Sequence, residues 1–209
     1  MRRAVLVHGV FSSSDTFETL AQLLASRQTS PIRYDYWPND LIAARLLNRR
    51  RSRDVAKLAE SLEAQVGVGH SNGCTILHGA ARRGAPFKLL VYINPALDAE
   101  PDPLPPWVKR VYVLHAPDDW AVWFGKLLLL HPWGDMGRNG YKGIDQRWIN
   151  LNVGTGLVWS PARRTLGQRD TPVWDYQPSD HAHGHSGAKN DLYWITLVSD
   201  LAAGRLVIG

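Results

Sequence analysis

A serine stands between two glycines in the segment VGVGHSNGCTI, which runs from Val66 to Ile76. An apolar run precedes Ser71, and small and apolar residues at helical spacing follow it. A strand that ends in Gly-x-Ser-x-Gly and leads directly into a helix is the context of a nucleophile elbow, where a tight turn holds the serine in a strained conformation. Gly69 and Gly73 would let strand and helix pass closely, because glycine has no Cβ. The segment therefore predicts that Ser71 is a nucleophile.

A serine hydroxyl is a poor nucleophile at neutral pH, so Ser71 needs a base to take its proton and a carboxylate to orient that base. Two adjacent acids, Asp118 and Asp119, follow the apolar run that ends at Ala116. Asp180 is a more distant third candidate. The sequence pattern alone leaves these acids as alternatives for the carboxylate.

The base could come from the segment DHAHGHSGAKN, which contains His181, His183 and His185. Their alternation could put all three imidazoles on one face of an extended segment, a spacing that also suits a metal ion. No second cluster of His, Asp or Cys completes such a site with recognisable spacing. We therefore expect no metal, and we interpret the surplus histidines as loop residues in solvent.

The elements that must position these residues alternate between strands and helices. Asp15 opens one amphipathic segment, with Glu18 three residues later as in a capping box, and two further helix-like segments cover Asp54–Ala64 and Asn72–Arg83. The segment AKNDLYWITLVSDLAAG predicts a last helix. Six apolar or β-branched runs are typical of strands: Ala4–Gly9, Ile32–Trp37, Gln65–His70, Lys88–Asn94, Arg110–Ala116 and Arg147–Val153. This order predicts a three-layer, doubly wound, mostly parallel sheet of about six strands with helices on both faces.

The length of 209 residues, with 44% apolar residues, fits a single domain over residues 1–209. From about 117 to 187 the regular alternation gives way to a loop excursion rich in Trp, Gly and Pro. Six of the nine tryptophans fall there: Trp120, Trp123, Trp133, Trp148, Trp159 and Trp174. These side chains either anchor long loops by burying area or line a pocket for an apolar group.

Cysteine content and hydropathy indicate a compartment. Cys74 is the single cysteine, so an intramolecular disulfide is excluded, and no segment has the pattern of a signal peptide. No apolar run approaches the roughly 20 residues that cross a bilayer. We therefore expect a cytoplasmic protein without a transmembrane segment.

A net charge of +5 would suit an anionic partner, but the excess is concentrated in RLLNRRRSRD, from Arg45 to Asp54. No aromatic residue is interleaved with this arginine run, and no zinc-finger or RNA-binding signature lies near it. We interpret the run as a solvated helix face or turn and expect no nucleic-acid partner.

Taken together, the motifs resemble the α/β-hydrolase superfamily, in the expected order over most of the chain. VLVHGVFSSSDTF is similar to its oxyanion segment, GHSNG to its elbow and NPAL to the turn after the next strand. VLHAPDDWAV is similar to its acid-bearing turn, and HGHSGAKNDLYWITLVSDL to its terminal histidine loop and helix. The resemblance implies an α/β-hydrolase fold that lacks the first antiparallel strands, as in compact lipase-like and cutinase-like members.

The resemblance also implies a role for each candidate in a Ser-His-Asp catalytic triad. Asp119 matches the position of the acid, with Asp118 as the alternate that would otherwise cap the turn. His185, beside a glycine just before the last helix, matches the base, with His183 as the alternate.

Negative charge that develops on a substrate oxygen needs preorganised N–H donors, an oxyanion hole. The elbow supplies the N–H of Asn72 at the start of a helix, and the resemblance assigns the second donor to Val10, with Phe11 as its neighbour if the register differs by one residue. In the family, His8 and His70 orient the oxyanion loop and the elbow without transferring protons.

These roles together predict a serine hydrolase, an esterase that cleaves a carboxylic ester of a small molecule or acyl group through an acyl-enzyme, with no cofactor. An amidase, a thioesterase or an acyltransferase could use the same triad. A non-catalytic binding module of the same fold is the alternative from another functional class.

Overall fold

The computed structural model describes residues 1–37, 41–119, 134–159, 171–172, 184, 189 and 191–208. Within these ranges the strands are β1 (Arg2–Val7), β2 (Thr29–Tyr34), β3 (Val66–His70), β4 (Leu89–Ile93), β5 (Arg110–His115), β6 (Trp148–Asn152), β7 (Leu157–Trp159) and β8 (Thr171–Pro172). They form one sheet in the order β2-β1-β3-β4-β5-β6-β7-β8. The motif-bearing strands are neighbours in this order and run in parallel: β1 pairs with β3, β3 with β4 and β4 with β5. Their carboxyl ends therefore lie at the same end of the sheet.

The first six strands pair in parallel, whereas β7 and β8 are antiparallel to their neighbours. The predicted mostly parallel sheet is therefore confirmed, and all six predicted strands are present. In the part of the chain that the structure describes, antiparallel pairing occurs only at the β7–β8 edge and nowhere near β1.

Helices cover both faces of the sheet, as predicted. They are α1 (Glu18–Ser26), α2 (Leu41–Ser61), α3 (Asn72–Arg82), the single turn α4 (Met136–Asn139) and α5 (Leu192–Ala203). Alternate residues of β1 separate into two cores: Ala4 and Leu6 pack with α1 and α5, whereas Val5 and Val7 pack with α2 and α3. Because both faces are covered, the central strands are apolar along their whole length, which is why their runs were visible in the sequence.

Strand β2 begins at Thr29, three residues earlier than the predicted Ile32, and ends at Tyr34 instead of Trp37. It includes Pro31, which cannot donate a hydrogen bond to a sheet. The position is tolerated because, among the described strands, β2 lies at the edge of the sheet and pairs only with β1.

The predicted capping box is wrong. Asp15 lies inside a short 3-10 helix over Ser14–Phe17, and the N-cap residue of α1 is Phe17, which makes no side-chain capping hydrogen bond. Ser14 instead donates from its main-chain nitrogen and from Oγ to the carboxylate of Asp35, at 2.8 and 2.6 Å. The serine hydroxyl is therefore used to attach this segment to the end of β2.

The arginine run lies within α2, and the prediction of a solvated helix face fits most of it. Arg49, Arg50 and Arg53 are exposed. Arg51 is the exception, since it is buried with its guanidinium 4.2 Å from the centre of the Tyr36 ring. A planar guanidinium can stack on an aromatic face in this way and keep its charge.

The excursion from about 117 to 187 contains regular structure at α4, β6, β7 and β8. Trp148 is buried on β6 and stacks on Tyr141 with ring centres 4.4 Å apart, so this tryptophan anchors the excursion to the core. Trp120, Trp123, Trp133 and Trp174 lie outside the described residues. Among the residues that are described, no helix combines the length and the apolar character needed to span a membrane.

Candidate active site

Ser71 occupies the sharp turn between β3, which ends at His70, and α3, which begins at Asn72. Its backbone has φ 53° and ψ −122°, a conformation that costs free energy in a residue with a Cβ. Three main-chain hydrogen bonds hold it there: Ser71 N donates to Ile93 O at 2.9 Å, and Ser71 O accepts from Cys74 N and Ala96 N at 3.1 and 3.2 Å. The turn therefore has the strained geometry expected of a nucleophile elbow.

The flanking glycines are required by close backbone approaches. A Cβ on Gly73 would overlap the carbonyl oxygen of Val7, so α3 can pass over the end of β1 only with glycine here. A Cβ on Gly69 would lie 2.9 Å from the main-chain nitrogen of Cys74. Cys74 itself is buried in the first turn of α3, with Sγ 3.7 Å from Ile93 O, and burial raises the pKa of its thiol.

The turn after β1 lies directly against the elbow. A Cβ on Gly9 would lie 3.0 Å from Cβ of Ser71, so the segment that precedes Val10 contacts the candidate nucleophile. Val10 is partly exposed in this turn, and Phe11, with φ 52°, points its side chain into solvent. Asn72 is fully buried at the start of α3. Asn72 thus directly follows Ser71, and the residue before Val10 contacts Ser71.

The two candidate acids have different environments. Asp119 is fully buried, and its Oδ2 accepts a hydrogen bond from Asn94 Nδ2 at 3.1 Å. A Cβ on Gly137 would lie 3.0 Å from that same oxygen, so glycine also makes room for the carboxylate. Asp118 is exposed, and its Oδ2 accepts from Gly184 N at 3.1 Å.

The candidate histidines His185 and His183, together with His181 and Asp180, lie outside the described residues. Gly184, between the first two, is described, and it contacts Asp118 and Asn94. Besides the bond from its nitrogen to Asp118, its carbonyl oxygen is 3.5 Å from Asn94 Nδ2. Gly184 is thus attached to the residues that follow β4 and β5.

Asn94 is a site residue that the sequence analysis did not single out. It follows β4 with φ 45°, a left-handed conformation that asparagine tolerates better than most residues. Its amide bridges the Asp119 carboxylate and the Gly184 carbonyl. The NPAL turn was the one available signal, but the pattern gave no reason to expect the asparagine side chain to face the acid.

His8 orients the turn after β1 through contacts on both its ring and its backbone. The ring stacks on Tyr36 with centres 4.3 Å apart, and Nδ1 lies 2.7 Å from Gly9 O. Because a carbonyl oxygen can only accept, Nδ1–H donates to it; Nε2 lies 3.3 Å from Asp35 Oδ1, and burial lowers the pKa of His8. The Tyr36 hydroxyl donates to His8 O at 2.9 Å, and burial raises the pKa of Tyr36 to about 12, which keeps the phenol protonated.

A pair of side-chain amides joins α2 to the elbow. Asn48 Nδ2 donates to Asn72 Oδ1 at 2.6 Å, and Asn72 Nδ2 donates back to Asn48 Oδ1 at 3.1 Å. Asn72 Nδ2 also lies 3.4 Å from the Tyr36 hydroxyl. Sequence reasoning missed both Asn48 and Tyr36, because the contacts connect residues that are 24 and 36 positions from Asn72.

Within the described ranges, no group of three or more His, Cys, Asp or Glu side chains is arranged to hold a metal ion. The alternating histidines of the sequence prediction are not part of those ranges. The buried polar residues around the elbow include Ser71, Asn72, His70 and His8, and the carboxylate of Asp119 is buried as well.

Comparison with known proteins gives structural matches only. No family model matches the sequence, and no curated protein matches it either. The esterase domain of a Rhodothermus marinus protein matches 98% of this chain and 85% of its own, with a TM-score of 0.54 and 10% identity.

A protein described as a hydrolase of the alpha/beta superfamily, from Xanthomonas campestris pv. campestris, matches 98% of both chains, with a TM-score of 0.52 and 17% identity. An extracellular alpha/beta-hydrolase from a Paenibacillus species is matched over 50% of this chain and 43% of its own, with a TM-score of 0.40 and 15% identity, and this partial match adds no argument. The two full-length matches and the sheet topology agree: the chain has the α/β-hydrolase fold.

Proposed function

We propose that the protein is a serine hydrolase that cleaves carboxylic esters through an acyl-enzyme. The observation that carries the proposal is the conformation of Ser71, with φ 53° between the end of β3 and the start of α3. Such strain persists only where the surrounding structure enforces it, and it is concentrated at functional sites. Here three main-chain hydrogen bonds enforce it, and the glycines at 69 and 73 permit the close backbone approaches around it.

In the proposed reaction, His185 takes the proton from Ser71 Oγ as that oxygen attacks the ester carbonyl carbon. The carbonyl π electrons move to the oxygen, which accepts hydrogen bonds from the N–H groups of Val10 and Asn72. The tetrahedral intermediate then collapses, and the alcohol leaves with the proton that His185 returns. Water repeats the sequence on the acyl-enzyme, releasing the carboxylic acid and restoring Ser71.

The burial of Asp119 supports its role as the acid of the triad. A carboxylate in this role must be fixed and largely removed from water, so that it stabilises the imidazolium and holds one tautomer of the base. Asp119 is fully buried and oriented by Asn94, whereas Asp118 is exposed and its Oδ2 accepts from a main-chain nitrogen. Asp118 therefore serves to attach the histidine segment.

The attachment of Gly184 supports a base from the same segment. Gly184 is the covalent neighbour of both His183 and His185, and consecutive Cα atoms are about 3.8 Å apart. Its contacts with Asp118 and Asn94 place Gly184 at the turn after β5 that also contains Asp119. His185 is the base we propose, and His183 is the alternate.

Intact-mass measurement after incubation with a fluorophosphonate probe tests the proposal. The parent should gain one adduct, Ser71→Ala should gain none, and only one of His185→Ala and His183→Ala should react much more slowly. Matched ester, thioester and amide substrates that share one acyl group then identify the bond that is cleaved. A folded parent that gains no adduct would contradict catalysis and favour a binding module.

A further inference from the structure

The amide pair of Asn48 and Asn72 connects the elbow to a helix that contributes nothing else to the proposed reaction. Each amide donates to and accepts from the other, so the Asn72 side chain has a fixed orientation. Asn72 is also the residue whose main-chain N–H would face the substrate oxygen. A constraint on its side chain is therefore a constraint on the direction of that N–H.

The same pair extends to the turn after β1 through Tyr36. Asn72 Nδ2 lies 3.4 Å from the Tyr36 hydroxyl, which donates to His8 O at 2.9 Å. The Tyr36 ring is held between the His8 imidazole and the Arg51 guanidinium, with centre distances of 4.3 and 4.2 Å. A continuous series of polar contacts thus runs from α2 through the elbow to the backbone two residues before Val10.

Helix α2 is suited to serve as the fixed support for this series. It packs against α3 so closely that a Cβ on Gly79 would overlap the Oγ of Ser52. Ser52 and Arg51 are buried, although their helix has a highly charged sequence. The asparagine therefore projects from a helix whose position relative to the elbow is set by packing, without depending on the substrate.

We infer that Asn48 and Tyr36 are positioning residues that hold the N–H groups of Asn72 and Val10 at the spacing needed for a tetrahedral oxyanion. The inference rests on the proposed function. The two N–H groups belong to separate elements, the start of α3 and the turn after β1. The Asn48–Asn72–Tyr36–His8 contacts join them, and preorganised donors of this kind stabilise a transition state because they need no reorientation during the reaction.

The test compares Asn48→Ala, the similarly sized Asn48→Leu and Tyr36→Phe with the parent. Leu46→Ala is the matched control, since Leu46 is exposed on the same helix two residues away. An activated ester gives kcat and KM, and an aliphatic trifluoromethyl ketone, which forms a tetrahedral adduct with serine, gives transition-state affinity. The corresponding methyl carbinol measures ground-state binding.

We expect kcat of each positioning variant to fall about tenfold, while KM changes less than about twofold. The fall is smaller than the roughly 10²- to 10³-fold loss in kcat that follows the removal of a donor itself. Affinity for the trifluoromethyl ketone should fall by the same factor as kcat/KM, and affinity for the carbinol should remain. The double variant of Asn48→Ala and Tyr36→Phe should lose less than the product of the single losses, because both changes interrupt one network.

If Asn48 and Tyr36 had only a general structural role, their substitution would change stability or ground-state binding and leave the transition-state affinity unaffected. Variants that unfold at lower urea concentration but keep the parent's kcat and ketone affinity would overturn the inference, as would equal losses of ketone and carbinol affinity. In either case a parent that still forms the Ser71 phosphonate adduct leaves the proposed function standing. A parent that forms no adduct overturns both.

Discussion

Asn94 donates a hydrogen bond from Nδ2 to Oδ2 of Asp119, at 3.1 Å, across the carboxyl ends of two neighbouring strands. The asparagine is held in a left-handed conformation, and its own main-chain nitrogen donates to Leu114 O at 2.8 Å. The orientation of the carboxylate is therefore set by the sheet itself. A carboxylate fixed in this way can align a base without first losing its own rotational freedom.

The different environments of the two adjacent acids, with Asp119 fully buried and Asp118 exposed, give the first prediction. Asp119→Asn should lower kcat/KM for an activated ester by about 10³-fold or more, because an amide cannot stabilise an imidazolium or impose the same tautomer. Asp118→Asn should change it less than about fivefold, since an amide oxygen can still accept from Gly184 N. Steady-state kinetics of both variants decide the assignment, and the reverse order of losses would transfer the role to Asp118.

Strain at the elbow gives a second prediction, in which two equally inactive variants differ in stability. Ser71→Ala and Ser71→Gly should both be inactive, because neither has a hydroxyl. Ser71→Gly should be more stable than Ser71→Ala by about 1 kcal/mol, since glycine adopts the observed φ at no steric cost. Urea unfolding of the two variants measures the difference. Equal midpoints would mean that the turn stores no strain.

The approach of α3 to β1 gives a third prediction. Gly73→Ala should lower the free energy of unfolding by about 3 kcal/mol, because its Cβ would overlap a backbone oxygen that cannot rotate away. Gly154→Ala is the control, since its Cβ would meet only Asn152 Oδ1, at an ordinary 3.5 Å. The control should stay within about 0.5 kcal/mol of the parent. Chemical denaturation at one pH compares all three proteins.

A buried histidine outside the site makes stability depend on pH. His78 is almost fully buried, its Nε2–H donates to Asp102 O at 2.9 Å, and burial lowers its pKa to about 4. In the unfolded chain a histidine titrates near 6.5. Between these two values the unfolded state binds a proton that the folded state does not, so stability falls as the pH falls through this window.

The loss assigned to His78 should approach about 3 kcal/mol by pH 4 and should be absent above pH 7. His78→Gln keeps a donor for Asp102 O and should flatten the profile of unfolding free energy against pH. His8 and His115, whose pKa values burial also lowers, remain in both proteins, so the difference between the two profiles isolates His78. Parallel profiles from pH 4 to 7 would contradict the assignment.

The parts of the fold that the sequence predicted are those whose signals are local. Each buried parallel strand is apolar along its length, and the elbow combines a strand, two glycines and a helix start within eleven residues. Strand β8, with two residues, is too short for any periodicity. The contact between Ser14 and Asp35 was also invisible in the sequence, because the two residues are 21 positions apart.

The same reasoning explains which site residues were missed. Ser71 and the pair Asp118–Asp119 stand at strand ends, where chemistry-bearing residues are expected in this fold. Asn94 and Asn48 are common residue types in unremarkable positions, and only the folded chain shows that their amides face the acid and the elbow. Arg51 was grouped with its solvated neighbours, although the helical period turns it toward Tyr36.

Cys74, the only cysteine in the sequence, is buried three residues after Ser71, so the reactivity of its thiol reports local opening of the elbow. Cys74 cannot react with a disulfide reagent until the first turn of α3 separates from β4, because Sγ is buried against Ile93 O and its pKa is raised. The rate of thiol modification in the native protein therefore measures how often this turn opens. A ligand that closes over Ser71 should slow that rate, so occupancy can be followed without any turnover of substrate.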